Sequence, residues 1–148
     1  MDICIKVRNE EEIDRILKLN YKCAVYNKQI NNLVTFIPDQ YITDLNSIGN
    51  SIIISNNPKI LEEAKSRNLK IAFKVDNITF KTLEYEYFVL EFIPKNKRDL
   101  RYFKGKIYVD NIDDLDIYNK LESLKIDGIF TNKVDFILLS KKLQMYKK

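Results

Sequence analysis

Six cations fall within one stretch of twelve residues: Lys95, Lys97, Arg98, Arg101, Lys104 and Lys106. Asp99 is the one acid among them, and Tyr102 and Phe103 are interleaved. Clustered lysine and arginine bind phosphate backbones by displacing counterions, and aromatic rings among them can stack on exposed bases. That chemistry points to RNA. The same residues also suit a solvated loop or helix face with Leu100 and Phe103 packed inward, and the sequence leaves both readings open. Near the C-terminus, Lys141, Lys142, Lys147 and Lys148 add positive charge with no acid after Asp135. Lysine at a helix C-terminus also complements the helix dipole, which is the plainer reading of this second group. The RNA reading gains if the two basic regions share a face.

Carboxylates form another group. Asp39, Asp76, Glu91 and Asp110 lie within or at the ends of apolar runs. Two facing carboxylates could hold Mg²⁺ or transfer protons. Glu91, in Val89-Leu90-Glu91-Phe92-Ile93, would be a charge inside a buried strand and needs a partner such as Lys74 or Lys6. A structural ion pair inside the fold satisfies that need without catalysis. Ser55-Asn56-Asn57 and Thr131-Asn132-Lys133 offer hydroxyl, amide and N–H groups at helix starts, where phosphate can bind but ordinary capping explains the residue types.

Much chemistry has no carrier. The chain has no histidine, no Gly-x-Ser-x-Gly and no phosphate-binding glycine-rich loop, so no catalytic residue and no metal ligand is assigned. Cys4 and Cys23 each sit in an apolar alternation and read as free, buried thiols, with a disulfide as the alternative if their strands are neighbours. The N-terminus has no basic region followed by a signal-peptide core, and no apolar run reaches membrane-span length. These features predict a cytoplasmic chain that does not engage the membrane. The net charge of +4 weakly favours an anionic partner.

The elements that must position these residues alternate between short apolar strands and helical stretches. Strands are expected at 2–7, 21–26, 33–37, 51–55, 69–75, 87–93, 107–109 and 126–130. Helices are expected after Asn9, at 59–67, at 113–124 and at 134–145, with a helical turn or two between Tyr41 and Gly49. Asn57 followed by Pro58 is a strong helix start. Residues 77–86 read only as a turn or a stub of helix. Eight strands in βα order predict one α/β domain over 1–148, a small parallel βα barrel. Such barrels usually need about 200 residues or more. Several crossover helices must therefore be missing, most plausibly after strands two, five and six, and the remaining barrel should expose apolar patches. An open doubly wound sheet is the rival architecture.

Asp2-Ile3-Cys4-Ile5-Lys6, then Glu11-Glu12-Ile13, then Leu19-Asn20-Tyr21-Lys22-Cys23-Ala24-Val25-Tyr26-Asn27 resembles the TIM-barrel protein subunit of archaeal ribonuclease P, component 3. Val89-Leu90-Glu91-Phe92-Ile93 and the run from Lys97-Arg98 to Arg101-Tyr102 are similar to later segments of that family. Asn20 stands where the family commonly has glycine. Separately, Ile107-Tyr108-Val109-Asp110-Asn111 and Asp127-Gly128-Ile129-Phe130-Thr131 resemble the last βα units of glycerophosphodiester phosphodiesterase barrels. Asn132 replaces the usual aspartate there, and the histidine-bearing catalytic motif of that family has no counterpart.

The first resemblance implies a non-catalytic subunit that supports removal of the tRNA precursor 5′ leader, with cleavage carried by RNA. It implies structured RNA and other ribonuclease P proteins as partners. No cofactor is implied beyond Mg²⁺ brought by bound RNA. Lys95, Lys97, Arg98, Arg101, Lys104 and Lys106 would meet phosphates, with Lys141 and Lys142 as secondary contacts. The second resemblance implies a degenerate or metal-dependent phosphodiesterase-like barrel that binds a phosphate-containing ligand.

Overall fold

In the computed structural model, which describes residues 1–146, eight parallel strands close into a barrel in sequence order. The strands are β1 (Asp2–Lys6), β2 (Cys23–Val25), β3 (Val34–Pro38), β4 (Ile52–Ser55), β5 (Lys70–Val75), β6 (Leu83–Leu90), β7 (Phe103–Val109) and β8 (Gly128–Thr131). β8 closes on β1 with Cys4 beside Phe130, so the open-sheet alternative is excluded. The helices are α1 (Ile13–Lys18), α2 (Pro58–Ser66), α3 (Leu115–Ser123) and α4 (Phe136–Tyr146). None of these helices is long and apolar enough to cross a membrane.

Local chemistry starts and stops the helices. The Asn57 side chain accepts from the Lys59 N–H at 3.0 Å, and Pro58 opens α2 without forfeiting a needed donor. Asp114 caps α3 through the N–H groups of Asp116 and Ile117. The chain leaves α2 through Asn68 at φ 57°, the left-handed geometry that asparagine tolerates better than most residues.

The crossovers after β2 and β5 carry no helix, and those after β3 and β6 carry only 3-10 turns. Aromatic side chains fill part of the space this leaves outside the sheet. Phe73 and Tyr85 stack with ring centres 4.6 Å apart, and Phe88 packs edge-on to Tyr85 and lies 5.2 Å from Phe103. A groove remains between this cluster and α2, lined by Leu61, Leu69, Ile71, Phe73 and Tyr85. Exposed apolar surface lies in that groove, at Ile78, Phe80 and Ile93 on the neighbouring crossovers, and also at Val34, Tyr41, Leu138 and Leu139.

Two strands begin earlier than the apolar pattern predicts. β6 starts at Leu83 and β7 at Phe103, so residues 83–86 are strand rather than turn, and Lys104 and Lys106 lie in a strand rather than a basic loop. Their outward residues, Leu83, Tyr85 and Phe103, alternate with Glu84, Glu86, Lys104 and Lys106. A bulge of one residue lies between Glu84 and Tyr87, opposite Lys104 to Lys106. At this irregularity the strands close in. A Cβ on Gly105 would lie 2.0 Å from the Tyr85 carbonyl oxygen.

The barrel interior is a packed core rather than a pore. Phe36 sits at its centre, with the rings of Tyr108 and Phe130 at 5.0 Å and Tyr87 at 5.8 Å. Gly128 faces Tyr108 across the sheet, and a Cβ there would come within 2.4 Å of the tyrosine ring. Cys4 and Cys23 belong to the same interior. They are register partners on β1 and β2, with Cα atoms 4.6 Å apart, and they form a disulfide. This corrects the expectation of free thiols. Burial was legible from the alternation, but the pairing depends on β1 and β2 being adjacent in the barrel.

Candidate functional site

β6 ends at the C-terminal end of the barrel, and the chain then descends the outside through residues 91–102 to the start of β7. Midway it makes a 3-10 turn, Lys97–Leu100, closed by a reciprocal capping box between Asn96 and Asp99. Asp99 Oδ2 accepts from the N–H groups of Lys95 and Asn96 at 3.0 and 3.4 Å. The only acid in the basic segment is thereby committed to backbone donors. Lys95, Lys97, Arg98, Arg101, Lys104 and Lys106 are all exposed. Among the described residues none of the six forms an ion pair with a carboxylate.

The two readings of this segment apply to different side chains. Leu100 packs against the core and Phe103 is buried in it, so Phe103 cannot stack on a base. Tyr102 is half-buried, with the Arg101 guanidinium 4.8 Å above its ring and Phe80 edge-on at 6.5 Å. Phe80 itself is 80% exposed. Arg101, Tyr102 and Phe80 together make a cation and aromatic surface. Sequence reasoning missed Phe80 because it lies in the stretch read as a turn. Its apolar character between Thr79 and Lys81, outside any strand pattern, was the available signal.

Lys104 and Lys106 sit at the N-terminal end of β7, on the side of the strand that carries the interior Tyr108. The Lys106 ammonium lies 6.0 Å above the Tyr87 ring. At the same end, the Tyr108 hydroxyl donates to Asp2 at 3.0 Å, and Lys22 and Lys141 border a shallow depression beside Asp2. Burial, reinforced by the Asp2 carboxylate, holds the Tyr108 hydroxyl well above the usual phenol range. The topology therefore brings Lys104, Lys106 and Lys141 to one end of the barrel. Lys95 leaves β6 at the other end, with Lys97, Arg98 and Arg101 on the connecting path. Lys142 is exposed on α4 beside Lys141. Lys147 and Lys148 lie outside the described residues.

The strand-end carboxylates gather around a cavity of about 340 Å³ at the C-terminal mouth. Asp39, Glu91 and Asp110 line it, whereas Asp76 does not. Asp110 pairs with Lys6 at 2.7 Å, and Glu91 pairs with Lys74 at 3.7 Å. Glu91 follows β6 rather than lying inside it and is half-exposed, so it does not carry the burial cost the sequence pattern suggests. Among the described residues no three His, Cys, Asp or Glu side chains are placed to hold a metal ion.

The two polar helix starts are spent locally. The Ser55 hydroxyl donates to Asp39 at 2.6 Å and accepts from the Asn57 N–H at 3.0 Å. The Thr131 hydroxyl and the Asn132 N–H and amide all donate to Asp113. Burial opposes the charge on Asp113, but these donors and nearby Lys133 outweigh it and hold its pKa below the usual range. Comparison of the chain with protein-family models, curated proteins and solved structures finds no match.

Proposed function

We propose that this chain is a non-catalytic RNA-binding barrel, acting as the protein subunit of a ribonuclease P that the sequence resembles. The observation that carries the reading is a run of exposed cations whose one neighbouring acid is turned onto the backbone, beside the Arg101–Tyr102–Phe80 surface. Unpaired cations displace counterions from phosphates, and an exposed ring accepts a base regardless of sequence. Asn20, which departs from the glycine common in that family, occupies φ 64°, a conformation glycine also adopts, so the departure needs no change of backbone.

In this reading, removal of the tRNA precursor leader belongs to the RNA, and Mg²⁺ arrives with it. Other ribonuclease P proteins are the protein partners, and the chain works in the cytoplasm. The Cys4–Cys23 bond is compatible with that compartment because both residues are buried, and thiol exchange needs access to a sulfur. The phosphodiesterase-like alternative has less support, since the cavity carboxylates do not form a three-ligand set among the described residues.

The test is the salt dependence of binding to a structured RNA. Replacing Lys97, Arg98 and Arg101 together with Ala should lower affinity and reduce the slope of log K against log salt by about 2 to 3, at ~0.7–0.9 per lost phosphate contact. An unchanged affinity and slope would refute the assignment of these residues.

A further inference from the structure

We propose that the cavity at the C-terminal mouth binds a small zwitterion of the α-amino-acid type, separately from the RNA surface. Its lining carries both signs: Lys6 and Lys74 beside Asp39, Glu91 and Asp110, with Arg8 at the rim paired to Glu12 at 3.2 Å. A lone anion would meet three carboxylates there, and a lone cation two lysines. A ligand with both charges meets both sets. The floor is apolar, built from Val25, Ile54, Val89 and Phe130, so the ligand can carry an aliphatic body below its charged groups. The size, about 340 Å³, lies at the small end of ligand cavities.

Hydrogen-bonding capacity on the cavity wall is open. Lys74 and Glu91 stand 3.7 Å apart, too far for a hydrogen bond, and among the described residues neither bonds to another side chain. Lys74 keeps its three donors and Glu91 its acceptor positions. Across the mouth, Lys6 donates to Asn111 Oδ1 and pairs with Asp110 Oδ1, both at 2.7 Å. Asp110 Oδ2 has no partner among the described residues. The ligand carboxylate would accept from Lys74 and Lys6, and its ammonium would donate to Glu91 and Asp110. No proton changes hands and no bond is broken. The site is one of recognition.

The experiment is an NMR titration of the ¹⁵N-labelled full chain with L-leucine, isocaproate, isoamylamine and inorganic phosphate. Isocaproate lacks only the ammonium of leucine, and isoamylamine lacks only its carboxylate. The expected result is amide shifts confined to the strand C-termini, with leucine binding about tenfold or more tighter than either single-charge analogue. Glu91→Gln and Lys74→Met should each weaken leucine binding about tenfold or more while leaving the rest of the spectrum in place, because both side chains are half-exposed. If leucine fails to bind, the remaining standard amino acids are titrated the same way. The proposal is overturned if none of them binds at millimolar concentration, if the analogues match their zwitterion, or if phosphate alone produces the shifts. None of the six basic-segment residues lines the cavity, so these outcomes bear on the cavity alone.

Discussion

Phe36→Ala should come close to unfolding the barrel. Phe36 is fully buried on β3, and its ring meets those of Tyr87, Tyr108 and Phe130 at 5.0 to 5.8 Å. Truncating a buried phenylalanine costs about 3–5 kcal/mol in lost transfer energy plus the cavity left behind. The upper half of that range applies here for two reasons. Three aromatic contacts are lost at once, each worth about 0.5–1.5 kcal/mol beyond area burial. The surrounding wall is a closed hydrogen-bonded sheet, which cannot collapse inward as a helix pair can. A loss of about 4–5 kcal/mol corresponds to a fall in Tm of roughly 8–20 °C for a chain of this size. Urea denaturation followed by circular dichroism measures it, with Phe36→Leu as the control expected to cost only about 1–2 kcal/mol. A cost for Phe36→Ala below about 1 kcal/mol, the level of an ordinary surface change, would refute a packed, closed interior.

Three further perturbations test separate features of the molecule. Phe80→Ala should weaken single-stranded RNA binding by about 1–3 kcal/mol in a fluorescence-anisotropy titration while leaving Tm unchanged, because the ring is mostly exposed. Gly105→Ala should destabilise the barrel by about 1–3 kcal/mol, since the added methyl meets the Tyr85 backbone oxygen at the β6 bulge, and thermal denaturation reads it. Burial raises the Tyr21 pKa to about 12, so below pH 10 the residue is neutral in both states and stability is intact. Between about pH 10 and 12 the unfolded chain releases a proton that the folded chain retains, and stability falls. Tyr21→Phe should flatten that alkaline decline while costing about 1 kcal/mol at neutral pH through the lost hydroxyl bonds to the Lys133 and Val134 carbonyls.

The barrel was legible because each strand core is a short apolar run set between helix signals. Ile52–Ser55 before Asn57-Pro58 is the clearest case. Charge hid the rest. The starts of β6 and β7 carry Glu84, Glu86, Lys104 and Lys106 on alternate positions, and an alternation of acids or lysines does not look like a strand edge. The Cys4–Cys23 bond needed knowledge of which strands are neighbours, which no local pattern contains. At the site, the exposure of the basic segment was readable from its composition. Its spread over two ends of the barrel was not, because that depends on where β7 begins. Asp39, Glu91 and Asp110 were visible individually as strand-end carboxylates. That they share one cavity while Asp76 does not follows from the closure of the sheet.

An RNA-binding subunit carries its RNA with it through purification. The most direct measurement is to purify the tagged protein from its native cell, with and without ribonuclease treatment, and to identify what accompanies it. One structured RNA together with a few small proteins is expected, with loss of that RNA from the treated sample. A protein recovered without RNA in either sample would contradict an RNA-binding role.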